Sequence, residues 1–394
     1  MALNFQQVVE KIRRIGASVQ ARQQVVAALR SDARSRLESW AHKPAELGAK
    51  VERARQIDPG LRCAIPLDEA LDSSWPEPAR LGGATLIAAD GSEIAPDRHA
   101  AVFYSLVNVG AIVLQPGSGR APDVITDSQL LFDDELYTQT GMLTEEAVQQ
   151  RRDIAERRLL LDLAPNYPAP VITLTDGPLE LWGGKGGEPE EYRRNLETYK
   201  SILSQLRARE VIVAGFVDKP AADLVVRLLE LAGMDENELG DLRTRHPLRG
   251  VSDRWLFGGL LGPGQRSAVF GLQSGSRTAY GGDLALRFFY MNVGDPVEPV
   301  LVRVEIPGWV ADQPDQLNLL HATLLEQCRV MGVKPYPYPL HRAHEAAVVK
   351  LAERAQVEQL LALELRRNGG EMETGSNKQS AKDLKGRTGR KGAL

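Results

Sequence analysis

Two short apolar runs in this sequence end the same way, ATLIAADG at residues 84–91 and APVITLTDG at residues 169–177. Near-continuous apolar runs of this length mark strands covered on both faces. A chain with two of them must build a sheet and bury it under helices. The segment 144–163 between them reads as such a helix: Thr144 suits the N-cap, and Glu145 and Glu146 fall in the first turn. Further strands are expected within 99–115, at 211–217, and in the runs LRFFYMNV and PVLVRVEIP. Helices are expected at about 221–232, 314–331 and 342–366; Pro314 suits the first helical position. Several strands followed by alternating strands and helices predict an α/β chain, a mixed sheet covered by helices. Residues 1–60 read as a helical arm, 80–366 as the main domain and 367–394 as a disordered, basic tail.

Composition sets the class. Apolar residues make up 43% and charged residues 25% of the chain, values of an ordinary globular protein. Two cysteines, Cys63 and Cys328, are too few for a disulfide framework or a thiolate metal site. No apolar stretch approaches a membrane span, and the first residues lack the core of a signal peptide, so a cytoplasmic protein without a membrane role is expected. The net charge of −4 carries no overall signature of nucleic-acid binding. Basic residues are concentrated locally, in RRDIAERR at 151–158 and in the tail at 378–391.

The candidate chemistry lies in the carboxylates. An aspartate that follows a buried strand sits at the sheet's carboxyl edge, where α/β proteins place their sites. Asp-Gly is also a common turn pair, but its recurrence favours a site at Asp90 and Asp176. In the helix between them, Val148, Ala155, Leu159 and Leu163 form an apolar stripe, with Arg152 inside it and Glu156 at its edge. Glu156 either pairs with Arg152 at i,i+4 spacing or faces the strand ends; Glu145 is the rival carboxylate. Three such carboxylates make a hard, oxygen-rich site for Mn²⁺ or Mg²⁺, fit for phosphodiester hydrolysis. A carboxylate pair could also serve a glycosidase with no metal. In KPYPYPLHRAHE, the prolines force an extended lead-in, so His344 is expected in the first turn of the next helix. There it heads a core-facing stripe with Val348, Leu351 and Ala355, neutral and able to ligate metal. His341 lies off that stripe. GGKGGE at 183–188 lacks a phosphate-loop ending and reads as a flexible loop.

Taken in order, DGS at Asp90, the Arg152–Glu156 pair, DG at Asp176 and YPYPLHRAHE resemble the NurA nuclease family. The likeness spans roughly 80–360, with Pro178 standing where the family pattern suggests Ser. It implies an RNase H-like catalytic domain and site positions at Asp90, Glu156, Asp176, Tyr336 and His344. It also implies Mn²⁺ or Mg²⁺ as cofactor, a homodimer, and a HerA-type hexameric ATPase partner. The activity implied is exonuclease and single-strand endonuclease cutting of DNA in end processing and double-strand break repair. A non-catalytic partner of a DNA-translocating ATPase is the alternative.

Overall fold

The computed structural model describes residues 4–79, 83–97, 102–138, 141–183 and 189–369. The basic tail beyond 369 and most of the GGKGGE loop lie outside the described residues. In chain order come α1 (Phe5–Trp40), α2 (Pro44–Ile57), β1 (Cys63–Ile65), β2 (Thr85–Ile94), β3 (Ser105–Leu114) and β4 (Asp123–Leu131). Then follow α3 (Glu145–Leu163), β5 (Val171–Asp176), α4 (Pro189–Ala208), β6 (Ile212–Val217), α5 (Leu224–Ala232) and α6 (Asp253–Gly258). The rest comprises β7 (Phe270–Gln273), β8 (Leu286–Asn292), β9 (Leu301–Pro307), α7 (Pro314–Val330), α8 (Tyr338–Ala347) and α9 (Leu351–Arg367). These elements form two compact units. The first lies within Met1–Gly82, Gly177–Glu180 and Val213–Pro337, the second within Gly83–Asp176, Leu181–Ile212 and Tyr338–Leu394.

In the first unit, β1, β7, β8, β9 and β6 pair antiparallel in that order. Helix α5 is buried along its whole length, and its first turn is held from outside: Asp253 accepts hydrogen bonds from the amides of Val225 (2.8 Å) and Val226 (2.7 Å) and from the Tyr290 hydroxyl (2.7 Å). Those amides are helix-start donors with no partner inside the helix. The far half of α1 packs on this unit through Ala33 and Leu37, with Arg30 over the Trp255 ring. Leu37, which with Leu29 and Trp40 would stay wet on an isolated arm, is thus covered by the chain's own body. The exposed residues lie earlier. Phe5, Val8, Ile12, Ile15 and Val19 recur at intervals of three and four and stand open to solvent.

The second unit holds a four-stranded mixed sheet. Strands β2, β3 and β4 form an antiparallel meander, and β5 returns parallel to β2 after α3. The apolar runs behave as expected: Leu86, Ile87, Ala88, Ala89, Ile172 and Leu174 are fully buried. Side chains alternate across a sheet, and two glycines show which helix covers which face. A Cβ on Gly110 would stand 2.6 Å from the Ala347 amide nitrogen and 2.7 Å from the Ala343 carbonyl oxygen, so α8 lies directly on that face. A Cβ on Gly91 would stand 2.5 Å from Arg152 Cγ and 2.9 Å from Glu156 Oε1, so α3 covers the other. Both helices reach the sheet because a side chain is missing beneath each.

Candidate active site

Strand β2 does not end at Asp90. It runs on to Ile94, still paired with β3, so Gly91 is no turn residue there. Its role is to admit α3. The strand that stops is β5, whose Asp176 is followed by Gly177 at φ +85°, a true turn. Parallel pairing runs from Thr85 opposite Val171 to Ala89 opposite Thr175, and one step further sets Asp90 beside Asp176 on the same face of adjacent strands. Asp90 faces Gly110 across the β2–β3 ladder, which puts both aspartates on the α8 face.

His344 meets Asp90 on that face, with Nδ1 donating to Asp90 Oδ2 at 2.6 Å. The other Asp90 oxygen accepts from the Gly91 amide at 2.9 Å. The expected setting of His344 was wrong in two respects. Helix α8 begins at Tyr338, because Pro339 falls in its first turn, where a missing N–H costs nothing. It ends at Ala347, so His344 stands in the last turn, and its side chain is 63% exposed rather than aimed at the core. Val348, Leu351 and Ala355, the rest of the expected stripe, are exposed too. The end of α8 is fixed by the sheet: Ser92 Oγ (2.5 Å) and Asn108 Nδ2 (2.7 Å) both donate to the Ala347 carbonyl.

Glu156 comes from the opposite face. It is 3% exposed, whereas Glu145 lies in solvent. Buried neighbours are Leu160 and Leu161 rather than Leu159 and Leu163, so the core-facing stripe of α3 is rotated from the one expected. The pairing option for Glu156 holds, with a second arginine added. Glu156 pairs with Arg152 (3.5 Å) and, more closely, with the buried Arg157 (2.6 Å), and it also lies under Gly91 beside Asp90. Burial pushes the Glu156 carboxyl upward, Arg157 and Arg152 oppose the rise, and Asp153 and Asp90 add to it. Arg152 is itself shared with Glu93 and Asp153, each at 2.9 Å. Arg152 and Arg157 of RRDIAERR are therefore paired with carboxylates inside the unit.

Tyr336 belongs to the first unit, where its ring meets Phe216 edge to face at 5.5 Å. Among the described residues, no three histidine, cysteine, aspartate or glutamate side chains form a ready-made metal shell. The close, metal-sharing arrangement expected of Asp90, Glu156 and Asp176 is not preassembled. Asp90 instead spends both oxygens on His344 and the Gly91 amide. Acid is nevertheless in excess here, with Asp90, Glu93, Asp153, Glu156 and Asp176 set against Arg152 and Arg157.

The NurA domain profile matches residues 84–349. The chain belongs to the NurA family. The match spans Asp90, Glu156, Asp176, Tyr336 and His344. Among solved structures, the NurA nuclease from Sulfolobus solfataricus is 12% identical, with a TM-score of 0.48 over 84% of this chain and 97% of that one. The catalytic domain of human endonuclease V is 16% identical, with a TM-score of 0.32 over 80% and 96%. Endonuclease V of Ciona intestinalis, solved with a 24-mer DNA, is 13% identical, with a TM-score of 0.30 over 79% and 96%. No curated protein matches by sequence. Family membership rests on the domain match. The part of the candidate site that sequence reasoning missed is its framework, Gly91, Gly110 and Arg157. Only Arg157 left a signal, as a second arginine next to Glu156.

Proposed function

We propose that the chain is a divalent-metal-dependent DNA nuclease whose site comprises Asp90, Glu156, Asp176, Tyr336 and His344. The observation that carries it is the juxtaposition of Asp90 and Asp176 where β5 stops, with Glu156 buried beneath Gly91. The oxygen donors and the acid excess fit a hard cation such as Mn²⁺ or Mg²⁺, held by Asp90, Glu156, Asp176 and His344. When bound, such an ion supplies a water of lowered pKa and neutralises charge on the phosphate. Asp90 fixes the His344 ring: a carboxylate only accepts, so Nδ1 carries a proton and Nε2 is turned away from Asp90. Arg152 and Arg157 hold Glu156 in place. Tyr336 is proposed to position the phosphate or the attacking water through its hydroxyl.

We further propose exonuclease and single-strand endonuclease action in DNA end processing and double-strand break repair, in the cytoplasm, as a homodimer with a HerA-type hexameric ATPase; membership of the NurA family supports the nuclease part of this reading. The exposed stripe of α1 supports an assembly role. Among the described residues no helix is long and apolar enough to cross a membrane. The test is cleavage of linear and single-stranded DNA with and without Mn²⁺. Wild type should cut only with metal, Asp90→Ala and Asp176→Ala should abolish cutting while keeping DNA binding, and Tyr336→Phe should cost less. Full activity in Asp90→Ala defeats the site assignment, and DNA binding without cutting in wild type favours the non-catalytic alternative.

A further inference from the structure

The first unit contains a cavity of about 470 Å³ with no part in the site above, a size ordinary for small-ligand pockets. Its apolar lining includes Ile65 and Leu67. Arg55 of α2 and Arg277 of the segment after β7 also line it. The Glu52 carboxylate bridges them. Arg55 Nε donates to Oε1 at 3.0 Å, joined by its Nη2, and Arg277 Nη1 donates to Oε2 at 3.2 Å. The same Nη1 also reaches Gln273 Oε1 at 2.9 Å. Nη2 and Nε of Arg277 have no acceptor among the described residues, and the side chain is 38% exposed. A structural tie between α2 and this segment needs one arginine. The second leaves a positive charge that Glu52 alone does not cancel. Arg287 also lines the cavity, but its guanidinium is taken by Asp312.

We propose that this cavity binds a nucleoside monophosphate, with the phosphate between Arg55 and Arg277 in place of Glu52 and the base against Ile65 and Leu67. A phosphomonoester carries roughly −1.5 to −2 charges at neutral pH, so it matches two guanidinium forks better than one carboxylate does. The choice of a nucleotide among phosphate esters rests on the nuclease function, because phosphodiester cleavage generates phosphomonoesters, either free or at strand ends.

The test is calorimetric titration of the full chain, in chelator, with thymidine monophosphate, thymidine and inorganic phosphate. Thymidine monophosphate should bind at one site, at least tenfold more tightly than either fragment. Arg277→Ala should weaken it at least tenfold. Ala285→Phe, which narrows the cavity and keeps every charge, should weaken it similarly. Glu52→Gln should tighten it several-fold, a gain that a purely structural ion pair does not predict. An oligonucleotide with a terminal phosphate identifies the source: tighter binding than the free nucleotide points to strand ends, weaker binding to free nucleotide, and either supports the site. No binding to wild type and Glu52→Gln, or equal binding to wild type, Arg277→Ala and Ala285→Phe, overturns it. Metal-dependent cutting is measured on the same preparations. Cutting without nucleotide binding defeats the cavity alone, and binding without cutting defeats the nuclease function alone.

Discussion

Gly91 and Asp90 show how one residue can be read two ways. In sequence the two Asp-Gly pairs look alike. Only the second is a turn, because Gly177 takes a positive φ while Gly91 stays in a strand. Gly91 is glycine because α3 needs the space, and that demand comes from 60 or so residues away, beyond any local pattern. Gly91→Ala should push its methyl into Arg152 and Glu156. Overpacking of this kind costs about 1–3 kcal/mol, and displacing Glu156 should cost activity out of proportion to stability. Denaturant unfolding and cleavage assays on the same variant check this; wild-type activity would mean that Glu156 can move without consequence. The candidate aspartates stood out in the sequence because each follows an apolar run, although only β5 stops at its acid. The orientation of His344 was not, because it depended on where α8 starts.

Among elements, legibility followed burial. Strands β2, β5, β6, β8 and β9 announced themselves by apolar runs. Strand β4 did not: DVITDSQLL is exposed along most of its length and is held only by its ladder to β3. Helix α4 could have been found, since Leu196, Tyr199, Leu203 and Leu206 recur at helical spacing and are buried. The expected final helix is two, α8 and α9, because the sheet takes up the last carbonyl of α8. Helix α1 divides energetically. Its burial begins at Ala33, whereas its first half shows a three-four stripe, the spacing of helix pairing. Deleting residues 1–26 should therefore leave the melting temperature nearly unchanged and reduce a dimer to a monomer by light scattering. A deletion variant of unchanged mass would remove α1 from the assembly. Deleting residues 1–58 would not be a fair test, since it strips Leu47 and Val51 from the core.

At the level of the whole molecule, charge is a poor guide to substrate. A net charge of −4 conceals a site in which carboxylates outnumber arginines, and the arginines nearest it are internal. Stability carries its own charge dependence. Burial holds His321 down to about 4, and its Nε2 donates to the Gly264 carbonyl at 2.8 Å. The folded state keeps this imidazole neutral while the unfolded chain protonates it near its ordinary value. Its contribution is therefore complete above about pH 6.5 and is lost as pH falls towards 4, amounting to about 3 kcal/mol over that window. His321→Gln, which keeps a donor for Gly264 and does not titrate, should flatten unfolding free energy against pH between those limits; an unchanged slope would assign the acid sensitivity elsewhere. The central claim is that Asp90, Asp176 and Glu156 hold a metal that the protein uses on DNA. Its most direct test is Mn²⁺ titration followed by electron paramagnetic resonance, on wild type, Asp90→Ala and Asp176→Ala. Stoichiometric Mn²⁺ binding in wild type that both variants lose, along with cleavage, is the predicted result. Equal Mn²⁺ binding in all three proteins would contradict it.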